Sequence, residues 1–126
     1  VVATALREAH EEMGVEASRV EVIGTLPPFM TRTSGRPVDP VVALTTAPLE
    51  ARPDAFEVAD WFWVPLADLL AAPVTERTLP LAPLGRPVVF IEVGGRIIWG
   101  ATGAIVVELL ARIRSRLDPP GPPPQR

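Results

Sequence analysis

Apolar and polar positions follow different rhythms along this 126-residue chain, and each rhythm predicts a kind of element. Over residues 3–13, Ala5, Leu6, Ala9 and Met13 recur at helical spacing and Gly14 follows as a stop, which predicts a helix with one packing face. Glu8, Glu11 and Glu12 fall on another side of it at i, i+3 and i+4, three carboxylates converging within a single turn. The β-branched runs 20–26 and 38–46 predict strands, the second with Pro40 near its start or on an edge. The aromatic run 57–64, closed by Pro65, predicts a third. Residues 66–71 suit one or two turns of helix stopped by Pro73. Segments 88–93 and 96–99 flank Gly94-Gly95, a two-residue hairpin signal. The period then changes, and 101–117 places Ile105, Leu109, Ile113 and Leu117 at helical spacing, with Glu108, Arg112 and Arg116 outside that row. This last helix is expected to cover the sheet.

The connections are read from turn chemistry. Residues 29–37 hold Thr31, Arg32, Thr33, Ser34, Gly35 and Arg36 and predict a loop, either an ordinary hairpin connection or one that meets a ligand. Residues 48–55 form another loop. The stretch 73–87, with four prolines, predicts an ordered loop, and 118–126 an extended, disordered tail rich in proline. The expected organisation is therefore one domain over 1–117 followed by that tail.

Composition narrows the function classes. A hydrophobic fraction of 48% is ample for a core in a chain of one domain's length. With no cysteine, a disulfide framework, a thiolate metal site and a cysteine nucleophile are excluded. A net charge of -3 offers no basic surface of the kind duplex nucleic acid requires, so no nucleic-acid partner is expected. The least charged run, 97–107, is too short for a bilayer, which needs about 20 residues, so no membrane role is expected and a cytoplasmic location fits. All 12 cations are arginine, which weakens the meaning of any single one. The chain begins at Val1, already inside the first helix, so a preceding portion is expected.

The acidic helix carries the candidate chemistry. Like charges at i, i+4 weaken a helix by roughly 0.2–0.5 kcal/mol per pair. Glu11 and Glu12 also sit in the last turn, where the helix dipole disfavours anions by about 0.3–1 kcal/mol. One reading is a solvated acidic face. The other is a cation site, which turns both penalties into attraction, and an oxygen-only donor set suits magnesium or manganese better than zinc. Arg7 can reach Glu11 at i+4 and hold its rotamer, although that order of charges is the weaker one.

The stretch Arg7-Glu8-Ala9-x-Glu11-Glu12-x-Gly14-Val15 resembles the second half of the Nudix box, G-x5-E-x7-R-E-U-x-E-E-x-G-U with U aliphatic. Every specified position from the arginine onward is matched, while the first half would lie before residue 1. Further likeness is to the coenzyme A pyrophosphatase branch, through Thr33-Ser34-Gly35 with Val38-x-Pro40-Val41-Val42, Glu57-Val58-Ala59-x-x-Phe62-Trp63-Val64-Pro65-Leu66, Asp68-Leu69-Leu70, and Ile98-Trp99-Gly100-Ala101-Thr102. The resemblance implies an α+β fold, an αβα sandwich with a mixed sheet, here lacking its N-terminal strands. It implies a metal-dependent hydrolase with Mg2+ or Mn2+ held by Glu8, Glu11 and Glu12, acting on a nucleoside diphosphate-linked small molecule. Coenzyme A or an acyl derivative is the expected substrate, cleaved to a phosphopantetheine and adenosine 3′,5′-bisphosphate, with nucleoside diphosphate sugars or nucleoside triphosphates as alternatives.

Within that picture Glu8 or Glu57 takes the proton and Arg7 orients a glutamate. Glu57 is weighed against a plain rim carboxylate at a strand start. Arg32 and Arg36 are candidate phosphate contacts, weighed against ordinary surface arginine. Trp61, Phe62, Trp63 and Trp99 are expected in packing rather than under a stacked base, and His10 is assigned no chemistry. Homodimers are common in the Nudix group, so a homodimer is allowed for without an interface to name. The competing reading is a non-catalytic, truncated Nudix-like module that binds a nucleotide or a partner protein.

Overall fold

The computed structural model describes residues 1–31, 35–56, 58, 60–78 and 87–117. They divide into two compact units, Val1–Trp63 and Val64–Arg126.

The first unit opens with helix α1, Val2–Met13. Its packing face is the one the periodicity predicts: Ala5, Leu6, Ala9 and Met13 are half-buried, whereas Glu8, Glu11 and Glu12 are exposed. Gly14 ends the helix at φ 69°, the left-handed conformation in which glycine carries no Cβ penalty. A 3-10 turn at Ala17–Arg19 leads into strand β1, Glu21–Thr25, which pairs antiparallel with β4, Val41–Leu44. The register shifts between Val22 and Gly24, leaving Ile23 as the extra residue of a bulge. Pro40 lies just before β4, where its missing N–H costs no ladder bond, and its carbonyl accepts the Leu26 N–H at 3.0 Å.

Three expectations change in this unit. The 38–46 run is not one strand: Pro37–Val38 forms β3, and Asp39-Pro40 separates it from β4. Of the two readings of 29–37 the hairpin is the one seen, with strand where loop was expected: Phe29–Met30 forms β2 and pairs antiparallel with β3, residues 32–34 lying outside the described residues. Its turn is closed by the Thr31 N–H on the Arg36 carbonyl and the Gly35 N–H on the Thr31 carbonyl, both at 3.3 Å. The third change concerns 57–64, whose described residues, 58 and 60–64, are neither helix nor strand. Local bonds take the place of a ladder there: the Val58 N–H donates to the Asp54 carbonyl at 2.8 Å and the Trp61 N–H to the Asp60 carboxylate at 2.9 Å. Trp61, Phe62 and Trp63 are correspondingly exposed rather than packed, and Trp61 meets Trp63 edge-on, their ring centroids 6.3 Å apart.

The second unit contains helix α2, Leu66–Ala71, and a three-stranded antiparallel sheet of β5, Val74–Arg77, β6, Val88–Val93, and β7, Arg96–Trp99, in the order β5-β6-β7. Strand β5 corrects the reading of 73–87 as a loop. The proline signal misled because Pro73 stands just outside the strand, where its carbonyl still accepts the Glu92 N–H at 3.2 Å. The β6–β7 hairpin turns at Gly94 and Gly95, with φ 58° and 73°, as the two-residue signal predicts.

Helix α3, Gly100–Leu117, packs on β6 and β7. Ile91 and Leu110 are both 0% exposed and mark the centre of this core. The i, i+4 row that predicts the helix drifts by about 40° per step, so Ile105 and Leu109 are only half-buried while Gly103 and Leu110 take the centre. A Cβ at Gly103 would come within 3.2 Å of the Val89 carbonyl oxygen and 3.3 Å of that of Ile98, so the missing side chain is what lets the helix lie this close to two strands. Among the described residues every strand pairing is antiparallel, and with three helices the class is α+β, as expected. The 118–126 tail lies outside the described residues.

Candidate active site

The site is built on α1. Its apolar face turns one way, so the spacing of 3.6 residues per turn sends Glu8, Glu11 and Glu12 the other way, on one exposed face. Glu11 is held by Arg7, whose Nε stands 3.7 Å from the Glu11 Oε1 in an i, i+4 ion pair. Both side chains are more than half exposed, at 65% and 58%, so the pair acts on rotamer choice more than on stability. Among the described residues Glu8 and Glu12 have no side-chain hydrogen bond or ion pair.

The carboxylates share a face without gathering into a cage. Among the described residues no three His, Cys, Asp or Glu side chains stand close enough together to hold a metal ion. Here the convergence read from spacing is corrected: three exposed anions gain by splaying into water, and Arg7 draws Glu11 toward itself. The donor set still fits a hard divalent ion in kind, being all carboxylate, exposed and on one side of one helix.

Backbone bonds from a distant segment hold the end of the helix. The last carbonyls of an α-helix have no partner within it. Here Gly14 and Val15 turn back and donate to the His10 and Ala9 carbonyls at 2.9 and 3.3 Å. Two further acceptors, beyond Glu11, are met from downstream: the Asp54 N–H donates to the Glu12 carbonyl at 2.7 Å and the Arg52 N–H to the Met13 carbonyl at 2.8 Å. Residues 52–54 thus form a strap across the helix end, contributing about 0.5–1.5 kcal/mol per bond. Gly14 is needed twice over, since a Cβ on it would stand 2.7 Å from the Arg52 Cβ.

This strap was not foreseen from the sequence. Pro53-Asp54 signals a turn, but main-chain donors carry no side-chain signature that would name their acceptors. Neither Glu57 nor Arg32, which the sequence proposed for this site, can be placed against the acidic face, since both lie outside the described residues. Arg36 is exposed, and its carbonyl accepts from Thr31. A cavity of about 490 Å³, lined by Leu6, Arg7, His10, Glu16, Ala17 and Ser18, opens beside α1 toward the 3-10 turn, and of the proposed site residues only Arg7 borders it.

Comparison with known proteins agrees with this helix and its surroundings. The profile of the NUDIX domain matches residues 1–84. The chain is similar to the uncharacterised Nudix hydrolase NudL of Pectobacterium atrosepticum, 36% identical over 120 residues that make up 92% of this chain and 60% of the relative. The NudL of Photorhabdus laumondii subsp. laumondii is 33% identical over 90% of this chain and 61% of its own length. That of Escherichia coli strain HS is 38% identical over 90% of this chain and 59% of its own. The chain therefore spans about three fifths of the length of the curated relatives it matches. A domain match that begins within the acidic helix, with relatives sharing a third or more of the residues across nine tenths of the chain, means that this protein belongs to the Nudix family.

Proposed function

We propose that the protein hydrolyses the diphosphate of a nucleotide-linked small molecule with the help of divalent cations, and that coenzyme A or an acyl-coenzyme A is its substrate. What carries this reading is helix α1, with Glu8, Glu11 and Glu12 on one exposed face opposite a packing face, closed by Gly14 in the left-handed conformation. The chemical demand is clear. Two linked phosphates repel an approaching hydroxide, so their charge has to be offset and the water oriented before the P–O bond can break. Bound Mg2+ or Mn2+ supplies that offset and lowers the pKa of a coordinated water.

The chain's own residues would do the rest. Glu8, Glu11 and Glu12 hold the ion from one side of the helix, Arg7 keeps Glu11 in a single rotamer, and Glu8 or Glu57 accepts the proton of the attacking water. The strap at 52–54 fixes the helix end on which Glu12 stands. A small-molecule substrate and a cytoplasmic setting go with this reading. Among the described residues no helix is long and apolar enough to cross a membrane.

The experiment is an assay of the natural full-length protein on coenzyme A with magnesium or manganese, repeated with Glu12→Gln. Hydrolysis that the variant loses is the expected result. Unchanged turnover in the variant would remove the acidic face from the reaction. Turnover of nucleoside diphosphate sugars but not of coenzyme A would keep the hydrolase and replace the substrate.

A further inference from the structure

Asp54 uses three polar groups at once. Its N–H donates to the Glu12 carbonyl at 2.7 Å, its carboxylate oxygen Oδ1 accepts the Phe56 N–H at 2.8 Å, and its carbonyl accepts the Val58 N–H at 2.8 Å. One residue therefore joins the last turn of α1 to the chain on its own C-terminal side. We propose that Asp54 is a positioning residue of the acidic site: its carboxylate, by accepting the Phe56 N–H, fixes the backbone at 54–56, and the Asp54 N–H held there sets where the Glu12 end of the helix stands.

Satisfying polar groups alone does not explain the arrangement. Carbonyls at an exposed helix end can be hydrated by water, so neither Glu12 nor Met13 needs a protein donor. A carboxylate is also electrostatically misplaced there, because the C-terminal end of a helix carries partial negative charge and three glutamates stand on the same helix. The strap further demands a glycine at position 14, whose Cβ would otherwise meet Arg52. What these costs secure is placement. Glu12 cannot shift away from Asp54 without breaking the N–H bond to its own carbonyl, and placement to within about an ångström is what separates a productive site from a slow one.

This role rests on the hydrolase reading, so its test pairs a kinetic measurement with one that needs neither metal nor substrate. In the full-length protein, Asp54→Ala removes the acceptor for Phe56, whereas Asp54→Asn keeps an oxygen in the same place without the charge. Amide hydrogen exchange at Phe56 and Val58 is expected to quicken by about tenfold in the alanine variant. Its kcat on coenzyme A should fall by about tenfold at nearly constant KM, and the asparagine variant should recover both to within about threefold. Native exchange in the alanine variant would show that the carboxylate locks nothing. Faster exchange with undiminished kcat would show a lock the reaction does not use. An asparagine variant as slow as alanine would assign the effect to charge and overturn the positioning role. Silence of the unsubstituted protein toward every diphosphate would instead sink the hydrolase reading and this role with it, an outcome recognised without comparing variants.

Discussion

At the scale of single residues, exposure separates groups that act from groups that support. Arg7 and Glu11 are both solvated, so Arg7→Ala should change unfolding free energy by no more than about 0.5 kcal/mol in urea titrations. The same variant should lower turnover, because Glu11 then samples several rotamers. Glu12→Gln keeps shape and removes charge. A direct ligand should matter at least as much as an outer-shell partner, so kcat is expected to fall by about a hundredfold while the circular dichroism spectrum stays unchanged. Gly14 is the opposite case. Gly14→Ala forces a side chain into φ 69° and against Arg52, so it should cost at least about 1–2 kcal/mol from the backbone term alone and reduce activity through the strap. The motif positions and their faces were legible because helical spacing and a glycine stop are local signals. The Arg52 and Asp54 bonds were not, since any residue but proline can donate them. Asp54 was legible only as a turn former.

Among the elements, those bounded by strong punctuation were read correctly, and of those read from composition 20–26 held as β1 whereas 57–64 did not. Gly94-Gly95 announced β6–β7 and Gly14 announced the end of α1. Strand β5 was hidden by prolines that flank it without entering it, and 57–64 promised a strand because β-branched and aromatic residues are enriched in strands without requiring one. The row Ile105, Leu109, Ile113 and Leu117 identified α3 but not its buried centre, which winds to Gly103 and Leu110. Leu110→Ala should therefore cost about 2–5 kcal/mol in denaturant unfolding, and Leu117→Ala little. The face of the sheet bearing Phe90 carries a stack that local patterning could not show. Trp99 lies parallel to Phe90 across the β6–β7 pair, interplanar angle 8° and centroids 6.1 Å apart, and the Arg77 guanidinium sits 5.3 Å from the Phe90 ring centre. On α3, Arg114 donates to the Leu70 carbonyl at 2.6 Å, placing a cation at the C-terminal end of α2, where the helix dipole favours it.

Across the whole molecule, burial is uneven. Of the five buried apolar residues among those described, Val88, Ile91, Val93 and Leu110 belong to the second unit and only Leu26 to the first. Native-state hydrogen exchange should accordingly be slowest in β6 and α3 and faster in α1, β1 and β4. With its acids splayed, the 126-residue chain should take up Mn2+ weakly, with a dissociation constant of about a millimolar, and stoichiometric uptake at micromolar concentrations in isothermal titration would contradict this. The α+β class and the shared exposed face of Glu8, Glu11 and Glu12 could be read from residues. The fastening of that face could not, because it is a property of the folded chain. The strap also bears on the order of folding. Its amides follow β1 and β4 in the chain, so the Glu12 and Met13 carbonyls can gain these donors only after both strands have been made. On the proposed function, a cation captured by the acidic face would favour the folded state in which this strap is closed.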